Sequence, residues 1–392
     1  MPRTPLTPLA PLAPPLAATA AVALTLSLTV LSGVPAQAQA QPRAQVLAQA
    51  QVLAQVPDGA DLVLPGPTGS MAVGTTTLHL VDASRPDPWN PAADKRELLV
   101  SLWYPTRKTS GKRAPYVSPQ ESAAILKPYP DVPPDALTRT RTHATLDAPV
   151  RTARGGLPLV VMSPGFTFPR ASLTSLAEDL AGRGYLVAAV EHTYESVTTF
   201  PDGRTTTCLA CVRGQDGAKV AASRVKDVRF VLDELGKGRW GHLIDRRRIA
   251  MVGHSMGGNS SAQAMLADAR VRAGINLDGS FIPLVTRLDR PFMLIGTPEL
   301  HAPGGEDDSW VKSWAHLKGP KRWITVAGTD HAAFVDYAVL RPPLGIPAQR
   351  LDGGRALRIT RDHVAAFLDR HLLGRRTPVQ DFPEVTDYSG SS

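Results

Sequence analysis

The chain is 392 residues long, 43% hydrophobic and 20% charged, with a formal charge of +8. That balance excludes a fibre and wholesale disorder and suits one large α/β domain or two small ones. The positive excess is spread along the chain apart from short runs at Arg246-Arg247-Arg248 and Arg375-Arg376. With no lysine-rich arm and no basic stripe carrying aromatics, it argues against nucleic acid as a partner, while a weak attraction to anionic surfaces stays open.

Arg3 precedes an apolar run at 16–33, and Ala36-Gln37-Ala38 and Ala38-Gln39-Ala40 follow it. Charge, apolar core and small-residue site in that order predict a secretory signal peptide over 1–40 and a secreted or periplasmic protein. The competing reading is a retained membrane anchor, for which the run is short. Residues 41–60 repeat AQVLAQ and read as a low-complexity linker. A single folded domain is expected over 61–380, with 381–392 as a flexible tail.

From residue 71 onward, β-rich runs alternate with helical patterns. Residues 75–81 and 97–105 read as two early strands. Residues 106–156, rich in Pro, Arg and Thr, carry one helical candidate near 118–126 and otherwise look like an irregular insertion. LPLVVMS (157–163) is continuously apolar, as in a parallel strand covered on both faces. A helix follows over 172–182, with Leu173, Leu176 and Leu180 on one side, and then the strand YLVAAVEH (185–192). The polar loop 193–217 holds both cysteines, Cys208 and Cys211. Export would permit a disulfide between them, closing a loop too small to stabilise much. Their loop setting does not suit a thioredoxin-like motif, and two cysteines without clustered histidines do not make a structural zinc site.

Helix, strand, helix continue at 218–235, 249–253 and 259–267. Strands at 273–278, 292–296 and 322–328 and a last helix at 362–372 complete the pattern. Such alternation predicts a mostly parallel central sheet with helices on both faces.

Within this frame lies Gly253-His254-Ser255-Met256-Gly257, a GxSxG match that arises by chance in a chain of this length about one time in ten. Its context decides its weight: a strand ends at Gly253 and a helix begins beyond Gly258, so Ser255 occupies a strand-to-helix turn, the setting of a nucleophile elbow. A serine hydroxyl needs a base within reach and an acid to orient that base. The histidines downstream are His301, His316, His331, His363 and His371. His331 stands just past a strand, where ligands of parallel sheets bind, whereas His316, His363 and His371 sit in helical patterns. For the acid, Asp278 and Glu299 each end a strand at the same edge, and both stay open at this point. Asp330 adjoins His331 and reads as a turn residue. A tetrahedral oxyanion needs two backbone donors, for which the N–H groups of Met256 and Phe166 are the candidates.

The segments LVVMSPGF, DLAGRGYLVAAVEHTYES, GHSMGG, AGINLDGSFIPL and RWITVAGTDHAAFVDY resemble the secreted, plasma-type platelet-activating-factor acetylhydrolases and their bacterial relatives. The likeness spans about 95–372 in order and spacing. It implies the α/β-hydrolase fold and a serine esterase or lipase acting on short or oxidised acyl esters. It further implies Ser255 as nucleophile, Asp278 as acid, His331 as base and Phe166 and Met256 as oxyanion donors, with no cofactor and no metal. The implied partner is a small-molecule or lipid ester, with transient contact to a membrane or lipid surface. Ser163-Pro164-Gly165 departs from the family, which commonly has histidine before this glycine. A second resemblance, to bacterial cutinases and polyester hydrolases, rests on GHSMGG and PFMLIGTPELHAP. It would place the acid just after FMLIG, where the chain offers only Glu299. Outside enzymes, the remaining reading is a binding protein that kept the fold and lost activity.

Overall fold

The structure, a computed structural model, describes residues 62–212 and 216–390. The expected signal peptide and linker lie outside the described residues. Among the described residues no helix is long and apolar enough to cross a membrane.

The chain opens with β1 (Ala72–Asp82) and β2 (Arg96–Thr106), an antiparallel pair in continuous register. The following segment contains α1 (Pro119–Leu126) and β3 (Thr145–Leu146). Ser118 starts α1 with a capping box: its hydroxyl accepts from the Glu121 N–H while the Glu121 carboxylate accepts from the Ser118 N–H. This insertion is not irregular. Tyr116, Val117, Leu126, Val132 and Leu137 form a core of their own with Leu340, Leu344 and Ile346.

β4 (Leu157–Ser163) is buried at every position. Val160 and Met162 join the core on one face, Leu157, Leu159 and Val161 that on the other. That period of two with apolar residues on both sides is why the strand reads as an unbroken hydrophobic run. Then come α2 (Thr174–Gly182), β5 (Leu186–Glu191), a small hairpin of β6 (Thr198–Thr199) and β7 (Thr205–Thr206), α3 (Gly217–Leu235), α4 (Gly238–Gly241) and β8 (Ile244–His254). The rest are α5 (Met256–Ala267), β9 (Val271–Leu277), β10 (Phe292–Gly296), α6 (Pro298–His301), α7 (Ser309–Trp314), β11 (Lys321–Val326), α8 (Tyr337–Leu340), α9 (Gly353–Leu373) and β12 (Val385–Asp387).

The sheet runs β12-β11-β10-β9-β8-β4-β5-β2-β1-β3. From β11 to β5 every pairing is parallel, and β2 and β12 flank that block antiparallel. α2 and α9 cover one face; α3, α5 and α7 contribute to the other. All six parallel strands therefore end at one edge, and the loops leaving that edge hold the candidate residues.

Two boundaries differ from expectation. α9 starts at Gly353 rather than 362, because Asp352 caps it by accepting from the Arg355 N–H. Residues 381–392 were expected as a flexible tail, but Val385–Asp387 pair with β11. Phe382 is buried, Tyr388 packs on Trp323, and Arg355 pairs with Glu384. The apolar residues of FPEVTDY thus close the sheet edge.

Candidate active site

Ser255 sits between β8 and α5 with φ 55° and ψ −123°, a conformation a β-carbon disfavours by about 1–3 kcal/mol. Tight packing holds it there. A Cβ on Gly257 would strike the Ser163 carbonyl, and one on Gly253 would strike the Gly257 carbonyl. Only glycine at both positions lets the elbow close. The Ser255 N–H donates to Leu277 C=O at 2.8 Å, tying the turn to the neighbouring strand.

His331, on the loop after β11, brings Nε2 to 2.9 Å from Ser255 Oγ and Nδ1 to 2.7 Å from Asp278 Oδ2. Asp278 follows β9 in a left-handed conformation, φ 56°, with its side chain sealed from solvent. Its Oδ1 accepts from the Thr297 N–H at 2.7 Å and lies 2.9 Å from His301 Nδ1. Burial pushes this carboxyl upward, yet hydrogen bonds and charge from His301 and His331 prevail and hold it well below the usual carboxylate range. Glu299, the alternative acid, lies exposed on α6; it is Asp278 that meets His331. The carboxylate beside His331 thus comes from the loop after β9, one strand earlier than the cutinase-like placement requires.

The N–H groups of Phe166 and Met256 have no protein acceptor among the described residues. The loop bearing Phe166 lies against the elbow, since a Cβ on Gly165 would come 3.3 Å from Ser255 Cβ. Met256 is the first residue of α5, where N–H groups are unsatisfied and the helix dipole favours negative charge.

A buried ion network beneath this loop escaped the sequence reading. Arg224 donates to Pro164 C=O at 2.5 Å and to Ser163 Oγ at 3.1 Å, and pairs with Glu195 at 2.7 Å. Ser163 Oγ lies 2.9 Å from His192 Nε2, and His192 Nδ1 lies 2.8 Å from Asp227. Arg96 grips Asp227 through Nε and Nη2 and Asp87 through Nη1. Burial and the Arg224 charge hold His192 below its ordinary value, so it is neutral. It therefore accepts from Ser163 and donates to Asp227. Only the ordering of Arg224 and Asp227 on the buried face of α3, three residues apart, hinted at this in the sequence.

Cys208 and Cys211 are bonded. Their loop joins Trp89, Ala210 and Val220 in a small cluster that packs on Phe166 and Met256, so it backs both candidate donors. A cavity of about 360 Å³ opens at Ser255, bounded by Phe166, Met256, Val220, Ile282, Leu300 and His331. A second, more apolar cavity of about 570 Å³ lies beyond Thr167, Phe168 and Ala332 and is roofed by Ile125, Tyr129 and Leu137 of the insertion. His316, His363 and His371 are not in these cavities. Among the described residues no group of three or more His, Cys, Asp or Glu could hold a metal ion.

A parallel sheet with a strained serine at a strand-to-helix turn, a histidine at 2.9 Å and a buried carboxylate behind it define a serine-dependent α/β-hydrolase. The chain belongs to the platelet-activating factor acetylhydrolase, isoform II, family, whose model matches residues 92–206 and 220–381. A solved ferulic acid esterase from Streptomyces cinnamoneus is 41% identical, covers 84% of this chain and 99% of its own, and superposes with a TM-score of 0.75. A probable 1-alkyl-2-acetylglycerophosphocholine esterase of Arthroderma benhamiae is 25% identical over 83% of this chain and 94% of its own length. A bis(hydroxyethyl) terephthalate hydrolase of Streptomyces coelicolor is 28% identical over 44% of this chain and 47% of its own.

Proposed function

We propose that the chain is a carboxylic-ester hydrolase working through an acyl-serine intermediate, with Ser255 as nucleophile, His331 as general base and acid, and Asp278 as orienting carboxylate. The observation that carries this reading is the hydrogen-bonded line from Ser255 Oγ through both nitrogens of His331 to Asp278. As Ser255 attacks the ester carbonyl, its proton passes to His331 Nε2, while Nδ1–H keeps donating to Asp278. Charge gathering on the carbonyl oxygen is met by the N–H groups of Phe166 and Met256. His331 then protonates the leaving alkoxide, and water repeats the sequence to free the acid and restore Ser255.

The substrate is an ester with a compact acyl group, short-chain or aromatic. The small cavity at Ser255 and the aromatic side chains of Phe168, Tyr129 and Tyr337 in the adjoining one support this, as does the likeness to a ferulic acid esterase. A second reading, an sn-2 acetyl phospholipid, draws on the family and on the fungal relative's name. Action outside the cytoplasm is supported by the Cys208–Cys211 bond, because such bonds persist in oxidising compartments.

The test is a panel of p-nitrophenyl esters of rising chain length, methyl ferulate, an sn-2 acetyl phospholipid and bis(hydroxyethyl) terephthalate, with Ser255→Ala as control. Highest kcat/KM on methyl ferulate or acetyl esters is expected. Wild-type rates in Ser255→Ala would overturn the nucleophile, and a preference for long acyl chains would overturn the substrate class.

A further inference from the structure

The line of hydrogen bonds does not stop at Asp278. His301, the last residue of α6, turns Nδ1 to Asp278 Oδ1 at 2.9 Å and Nε2 to Asp307 Oδ2 at 3.0 Å. Its ring is 1% exposed and stacks on Trp310 with centroids 4.0 Å apart and planes 20° from parallel. The Trp323 indole N–H donates to the His301 carbonyl, fixing the backbone. Asp307 is itself held by the N–H and hydroxyl of Ser309 at 2.9 and 2.8 Å.

Carboxylates accept and do not donate, so a ring with both nitrogens on carboxylate oxygens satisfies both contacts only when both carry protons. We propose that His301 is an imidazolium clamped between Asp278 and Asp307, and that it is a positioning residue that fixes the Asp278 carboxylate and sets the acid limb of the pH–rate profile. The inference rests on the triad reading above, which gives Asp278 its role.

The charges facing His301 are Asp278 from the loop after β9 and Asp307 from the loop before α7; α7 presents the Trp310 face, on which a cation is favourable. His331 reaches it only across Asp278. Glu299 on α6 and Glu306 on the loop that carries Asp307 are exposed. Burial acts against protonation of His301, but the two carboxylates raise its proton affinity above the ordinary histidine value. A cation behind Asp278 offsets part of the negative charge that this carboxylate presents to the triad. Loss of that cation therefore leaves more negative charge beneath the triad and moves the acid limb of its pH–rate profile upward.

In His301→Gln, the acid limb of the kcat/KM profile moves upward by about one pH unit, the size expected of one nearby charge. Asp307→Asn moves it the same way by less. The double variant matches His301→Gln, because Asp307 acts only through His301. A purely structural residue would lower kcat/KM at all pH values and leave the limb in place, and that result overturns the proposal. The second readout needs no activity: 15N–1H spectra of the wild-type chain at pH 7.5 should show both His301 nitrogens protonated, identified by their loss in His301→Gln. A single protonated nitrogen there also overturns the proposal. Inactivity of wild type, or full activity of Ser255→Ala, would instead sink the triad reading while leaving the spectroscopic result standing.

Discussion

Two serine–histidine–aspartate lines run through this protein within one sheet edge. Ser255–His331–Asp278 ends in a cavity, on a serine held at positive φ beside two N–H groups that have no acceptor among the described residues. Ser163–His192–Asp227 has similar spacings, 2.9 and 2.8 Å, but all three residues are sealed from solvent. Arg224 occupies Ser163 Oγ and Arg96 occupies Asp227. The same residue types thus stand open to a cavity in one place and locked inside an ion network in the other. Access, a strained turn and spare donors distinguish the first; arginines bound directly to its serine and its aspartate distinguish the second.

The largest expected effect separates the two serines. Ser255→Ala should lower kcat by about 10⁴–10⁶-fold, as for other serine hydrolases. Ser163→Ala should cost at most about thirtyfold, the worth of its two hydrogen bonds to Arg224 and His192, and the protein should still react with a fluorophosphonate probe. Equal losses in burst kinetics and labelling would erase the distinction.

The two aspartates come next and should fail differently. Asp278→Asn should reduce kcat of the folded protein by about 10⁴-fold. Asp227→Asn leaves the buried Arg96 undercompensated and should cost about 3 kcal/mol in urea unfolding, with near-normal kcat for the folded fraction. A stability loss confined to Asp278→Asn would reverse the assignment.

Arg224 links the lines, since it ties Pro164 C=O and Ser163 to Glu195 beneath the Phe166 loop. Arg224→Met should lower kcat by about 10²-fold with KM almost unchanged, as loss of an oxyanion donor does. A rise in KM alone would mean the loop serves binding rather than transition-state charge.

The smallest effect concerns pH and stability. Burial, with the nearby His331, pushes His254 down to about 3. Its ring stacks on Phe168 and lies 2.7 Å from the His331 carbonyl through Nε2. The unfolded chain binds that proton at about pH 6.5, so stability from this residue is present above that pH and is lost as pH falls toward 3. Urea midpoints should drop between pH 7 and 5 in wild type and drop less in His254→Phe; parallel curves would remove His254 from the account.

Much of this was legible in the sequence. The continuous apolar run of β4, the turn at Ser255 and the positions of Asp278 and His331 past strand ends all follow from local pattern. His301 was visible only as one histidine among five after the serine, since nothing local says that α6 turns its ring back to Asp278. The insertion looked irregular because its apolar residues find their partners in Leu340, Leu344 and Ile346, about two hundred residues later.

The sequence by itself determined the alternation of strand and helix, the elbow, and which residue types stand at the reactive edge, because periodicity and turn chemistry are properties of a few neighbouring residues. Tertiary structure decided which carboxylate meets His331, what stands behind it, and what holds the Phe166 loop. Those contacts join residues far apart in the chain: 131 positions separate Arg96 from Asp227 and 53 separate Asp278 from His331. Buried charges find partners by proximity in the folded state, where removal from water makes pairing obligatory, and spacing along the chain does not encode that proximity.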